Sequence, residues 1–113
     1  LQKAHQAYVG EDYENVLNAL KLIPSESQYY AKSLLLSGVA HFQLQENKNA
    51  VNQFKKILNN HNLSGNDDAR KFLALIYLQT NQLEEAKRIL KEIIELEDKF
   101  TEEAKKLLKG LRE

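Results

Sequence analysis

Three histidines, His5, His41 and His61, are the side chains best able to exchange a proton near neutral pH. They stand far apart in sequence, and none belongs to a metal-ligand spacing such as HExxH. His41 lies among apolar residues at helical spacing and reads as a packing residue; His61 lies in a polar stretch and reads as solvated. A proton relay using His41 and a nearby carboxylate is the one catalytic scheme these residues allow. The adjacent carboxylates Glu84-Glu85 and Glu102-Glu103 fall in the first turns of expected helices, where the N-terminal dipole favours negative charge without any reaction. No nucleophile is paired with a base, no glycine-rich segment suits a phosphate, and the absence of cysteine excludes a thiolate metal site. No cofactor is implied, and catalysis is not expected.

The overall charge points the same way. Sixteen basic and sixteen acidic side chains leave no net field to attract nucleic acid or an anionic membrane. Lys55-Lys56 and Lys105-Lys106 are interleaved with acids or apolar faces rather than forming a stripe. No apolar run approaches the ~20 residues of a membrane span, and no signal peptide is visible. The chain begins at Leu1, already in a helical pattern, so a processed or excised fragment is expected.

The elements that would position any site are helices. Leu1, Ala4, His5, Ala7 and Tyr8 fit a short one. Asp12 is placed to cap a second, with Tyr13, Val16, Leu17, Leu20 and Ile23 on its apolar face and Pro24 ending it. A longer helix from about Gln28 to Gln45 is apolar on nearly all sides through Leu34, Leu35, Leu36, Val39, Ala40, Phe42 and Leu44, as expected of a helix wrapped by neighbours. After Glu46-Asn47, Ala50, Val51, Phe54, Ile57 and Leu58 form the next stripe. Asn59 to Asn66 is the longest loop. Two further helices share the segment from Asn66 to Phe100, with Thr80-Asn81-Gln82 between them and Asn81 placed to cap the second. Thr101 can cap a last, one-sided helix bearing Ala104, Leu107, Leu108 and Leu111. About seven helices and no strand signal predict an all-α protein.

The pattern repeats. Gly38, His41, Ala50, Phe54 and Ile57 fall 36 residues before Ala74, Tyr77, Ala86, Leu90 and Ile93. Going back 34 residues places Val16, Leu20 and Ile23 under Ala50, Phe54 and Ile57, and Ala4 under Gly38. A helix-turn-helix unit of about 34 residues resembles the tetratricopeptide repeat. The small residues Gly38, Ala50, Ala74 and Ala86, each at a helix crossing, carry the resemblance, with bulky Phe54 and Leu90 four residues after Ala50 and Ala86. Val16 where a small residue belongs, and Pro24 about a turn early, make the first repeat the least regular. Asp98 stands where the family's terminal proline is expected. One domain over 1–113 is expected, with repeats at about 1–26, 27–66 and 67–100 and a capping helix at 101–113.

The resemblance implies a right-handed α-solenoid of antiparallel hairpins that acts as a non-enzymatic protein-interaction module. It also implies a concave groove lined by the first helix of each repeat: His5 and Tyr8, then Lys32, Leu35, Val39 and Phe42, then Lys71, Leu75, Leu78 and Gln79. Leu35, Val39 and Leu75 replace the Lys, Arg and Asn with which one subgroup clamps chaperone carboxylate tails. A largely apolar groove instead suits a peptide with hydrophobic anchors. The alternative is an assembly element whose groove is filled by another copy or by another domain of a longer chain. The third repeat and its tail also resemble bacterial proteins in which a short array follows a membrane anchor; the compartment stays open, a soluble cytoplasmic or periplasmic segment being expected if the chain is bacterial.

Overall fold

The computed structural model describes residues 12–60 and 63–112. The expected first helix, with Ala4, His5 and Tyr8, and the loop residue His61 lie outside them. Among the described residues there are six helices and no strand. The chain divides into two compact units, one ending at Gly65 and one beginning at Asn66.

The first unit holds α1 (Tyr13–Leu20), α2 (Tyr30–Gln43) and α3 (Asn47–Leu58). Asp12 caps α1, accepting the Asn15 N–H at 3.3 Å. The helix ends at Leu20, short of the stop expected at Pro24. Beyond it the chain tightens into turns, with Leu22 N–H donating to the Ala19 carbonyl and Ile23 N–H to the Leu20 carbonyl. The proline disfavours helical geometry at Ile23, and these closer bonds satisfy carbonyls that the shortened helix leaves open. Ile23 still packs, half-buried, on the cluster of Val16, Leu20 and Ala40 that joins α1 to α2.

The turn from α2 to α3 is closed by the backbone. Glu46 N–H donates to the His41 carbonyl at 2.8 Å, and Gln45, between them, takes a left-handed φ of 62°. These are the six-to-one bond and left-handed residue of a Schellman closure. Glu46 then serves as N-cap of α3, without a side-chain capping bond. On the α2–α3 contact Ala50, Phe54 and Ile57 are fully buried, and Gly38 packs directly under the Phe54 ring.

The second unit holds α4 (Asn66–Gln79), α5 (Leu83–Leu96) and α6 (Thr101–Arg112), with α4 against α5 and α5 against α6. Gly65, at φ +88°, turns the chain into α4. The α4–α5 turn repeats the earlier closure 36 residues on: Gln82 N–H donates to the Tyr77 carbonyl at 2.8 Å, and Asn81 takes φ 60°. Asn81 is therefore not the N-cap its residue type suggested. It ends α4, and Gln82 begins α5. Asparagine tolerates the left-handed region better than most residues, which suits it to this place.

Thr101 is likewise the first residue of α6 rather than an acceptor of helical N–H groups. Its hydroxyl donates back to the Asp98 carbonyl at 2.7 Å, while Asp98 Oδ1 accepts the Phe100 N–H at 2.7 Å. Ala74, Ala86, Leu90, Ile93 and Ala104 are buried in this unit.

Candidate functional site

The residues expected to meet a partner divide between the two units. In the first, Lys32 is exposed, Leu35 and Phe42 are half-buried, and Val39 is 6% exposed. Val39 therefore offers almost no surface although it shares a stripe with the other two. Leu35 lies beside the loop that enters the second unit: its Cδ2 stands 3.9 Å from where a Cβ on Gly65 would sit.

In the second unit Lys71 and Leu75 are already engaged. The Lys71 ammonium lies 4.6 Å from the centre of the Phe100 ring and 4.0 Å from Glu103 Oε2. Leu75 and Ala74 line a void of about 20 Å³, with Phe100, Ala104 and Leu107 on its other side. Both side chains thus turn toward α6 and the loop before it. Leu78 remains half-buried and Gln79 exposed. His5 and Tyr8 belong to the undescribed N-terminal residues.

His41 does meet a carboxylate, since its Nδ1 lies 2.7 Å from Glu46 Oε1. The two residues are already joined by the backbone bond that closes the α2–α3 turn, so their side chains are neighbours for a local reason. The pair bridges the end of α2 and the start of α3. Among the described residues no group of three or more histidine, cysteine or acidic side chains is placed to hold a metal ion. No helix among them is long and apolar enough to cross a membrane.

Two relationships were not visible in the sequence. Arg70, 8% exposed, donates from Nη2 to Asp67 Oδ1 at 2.7 Å and lies 3.7 Å through Nε from Asp98 Oδ2. That second distance is too long for a hydrogen bond, so both atoms are unpartnered by hydrogen bonding and attract as charges alone. Asp98 is thus tied to α4 where the repeat pattern expects a proline. The second is a cleft of about 510 Å³ between α5 and α6, with an aliphatic floor and lysines at its edge. The one local hint was the matched i, i+3, i+4 spacing of Lys91, Ile94 and Glu95 on α5 with Lys105, Leu108 and Lys109 on α6.

Paired helices with a 36-residue recurrence of buried small residues and of left-handed turns define a helical-repeat protein. A family model for the tetratricopeptide repeat matches residues 41–111, more than half of the chain. The chain belongs to the tetratricopeptide-repeat family, whose members in general mediate protein–protein interactions without catalysing reactions. No curated protein and no solved structure matched the sequence.

Proposed function

We propose that this chain is a single 1–113 repeat domain, with repeats at about 1–26, 27–66 and 67–100 and a cap at 101–113, and that the first helices of its repeats bind protein segments, each unit through its own contact residues. The described contact residues are Lys32, Leu35 and Phe42 on α2 and Leu78 and Gln79 on α4. The observation that carries this reading is the partial exposure of Leu35, Phe42 and Leu78 on those helices, beside exposed polar Lys32 and Gln79. Apolar anchors flanked by polar groups are how an extended or helical segment is gripped. Val39 drops out because it is buried, and Lys71 and Leu75 because they are committed within the second unit.

Affinity capture from the native cell extract tests this. The Leu35→Glu, Leu78→Glu double variant should lose partners that the unaltered chain retains. Lys32→Glu, an exposed change, should weaken the same capture without disturbing the helical circular dichroism. Identical capture by all three proteins overturns the proposal. A concentration-dependent dimer abolished by Leu35→Glu would replace the external partner with a second copy.

A further inference from the structure

We infer that the cleft between α5 and α6 is a second docking site, for an acidic segment of another protein with aliphatic or aromatic anchors. It uses none of the residues assigned to the first helices. Its apolar floor is the half-buried Ile94 of α5, seated over the buried Leu108 of α6; its edge carries Lys91, Lys105 and Lys109 against the one carboxylate of Glu95. Each helix contributes an apolar residue with a charged one three positions before it and another one position after it, so the two helices form matching walls. At about 510 Å³ the cleft has room for a bulky side chain or two, within the roughly 300–1,000 Å³ of typical ligand sites.

The charge at the edge selects the occupant. Lys105 is paired with Glu102 at 3.5 Å, but among the described residues Lys91 and Lys109 have no ion-pair partner. Lys105 and Lys109 also stand at i, i+4 on α6, a like-charge spacing that disfavours the helix. A carboxylate-bearing segment would relieve that repulsion and supply partners to the two unpaired ammonium groups. Beyond Ile94 the surface is mixed in sign, with Glu97 and Glu102 beside Lys99 and Lys105, so the excess of cations is confined to the cleft. A nucleic acid is disfavoured because the floor is aliphatic, with no aromatic ring on which a base could stack. A compact metabolite is disfavoured because the polar groups are exposed lysines on flexible stems, which attract charge but fix no geometry.

The test is a titration of the whole chain, followed by fluorescence anisotropy and by amide chemical shifts. The probe is a labelled amphipathic peptide of about 15 residues, about four helical turns, with leucines on one face and Asp and Glu on the other. A peptide with Lys replacing every acid is the control, and a short single-stranded oligodeoxynucleotide is a second. The acidic peptide should bind, shift the amides around Lys91, Ile94, Lys105 and Lys109, and weaken several-fold as salt is raised. The Lys91→Glu, Lys109→Glu variant should raise Kd about tenfold, since each reversal of a rim charge is worth about 1 kcal/mol or less. Lys91→Ala, Lys109→Ala should give an intermediate value and guards against a folding defect. Leu35→Glu, Leu78→Glu should leave this binding unchanged, which separates it from the first site. Equal binding of the basic peptide, binding of the oligonucleotide alone, shifts confined to α2 and α4, or no binding overturns the inference.

Discussion

A methyl group on Gly38 would stand 2.5 Å from Cε1 and 2.6 Å from Cζ of Phe54. Phe54 is fully buried, so its ring cannot swing aside without opening the contact between α2 and α3. Thirty-six residues later Ala74 and Leu90 take the corresponding places, one residue larger and the other smaller, and both are buried. The two hairpins thus divide the same space differently.

Gly38→Ala should therefore destabilise the protein. Alanine gains up to about 1 kcal/mol of helix propensity over glycine, but overpacking costs about 1–3 kcal/mol, and with a fully buried ring opposite the second term wins. Phe54→Leu alone should also destabilise, by leaving a void. The double variant, which copies the second hairpin, should lose less than the sum of the singles, with a coupling of about 0.5–3 kcal/mol by thermal unfolding. Strict additivity would mean that the two positions do not share space.

The left-handed turns make a second prediction. Gln45 at φ 62° carries a Cβ in a region that costs an ordinary residue about 1–2 kcal/mol. Glycine removes that strain but adds freedom to the unfolded chain. Gln45→Gly should raise stability by about 0.5–1 kcal/mol. Asn81→Gly should gain less, because asparagine already tolerates φ 60°. Gly65→Ala, at φ +88°, should destabilise. Chemical denaturation of the three variants checks the order. A loss for Gln45→Gly would show that its side chain, rather than its backbone, holds the turn.

The spacing of Gly38, Ala50, Ala74 and Ala86 marked the recurrence because small residues have few other reasons to recur at a fixed interval. The turns did not reveal their handedness, since Gln45 and Asn81 do the work usually announced by glycine. Periodicity also said that Leu35, Val39 and Phe42 share a face, but not that Val39 would be covered. Lys71 looked like a surface cation because Phe100 and Glu103, which receive it, lie about 30 residues downstream. Long-range partners leave no local trace.

Arg70 and Asp98 illustrate the same limit and carry a third prediction. Asp98→Ala removes the charge facing Arg70 Nε and the acceptor of the Phe100 N–H together. Leaving the guanidinium buried with only Asp67 should cost about 3 kcal/mol. Asp98→Asn, which keeps an acceptor for Phe100, should cost less. Replacing both members, as Arg70→Met with Asp98→Leu, should recover part of the loss, because two buried charges need not outperform apolar packing. Unfolding midpoints in urea decide it. Equal stability of Asp98→Ala and the unaltered chain would remove the pair from the forces holding the loop between α5 and α6.

Lys71 offers the most direct check on which residues hold the fold and which meet a partner. Its ammonium and that of Lys99 approach the Phe100 ring at 4.6 and 5.2 Å, and it also faces Glu103. Lys71 is one-third exposed, so screening by water limits the ion pair to a few tenths of a kcal/mol, and the ring contact adds about 0.5–1 kcal/mol. Lys71→Ala should lower stability by about 1 kcal/mol, a fall of about 4–8 °C in Tm for a domain near this size. Lys71→Arg, which can still cover the ring, should lose less. Neither change should alter capture of a partner, whereas Leu35→Glu with Leu78→Glu should. If Lys71→Ala abolished capture while leaving Tm unchanged, the lysine would belong to the contact surface, and its approach to Phe100 would be incidental to folding.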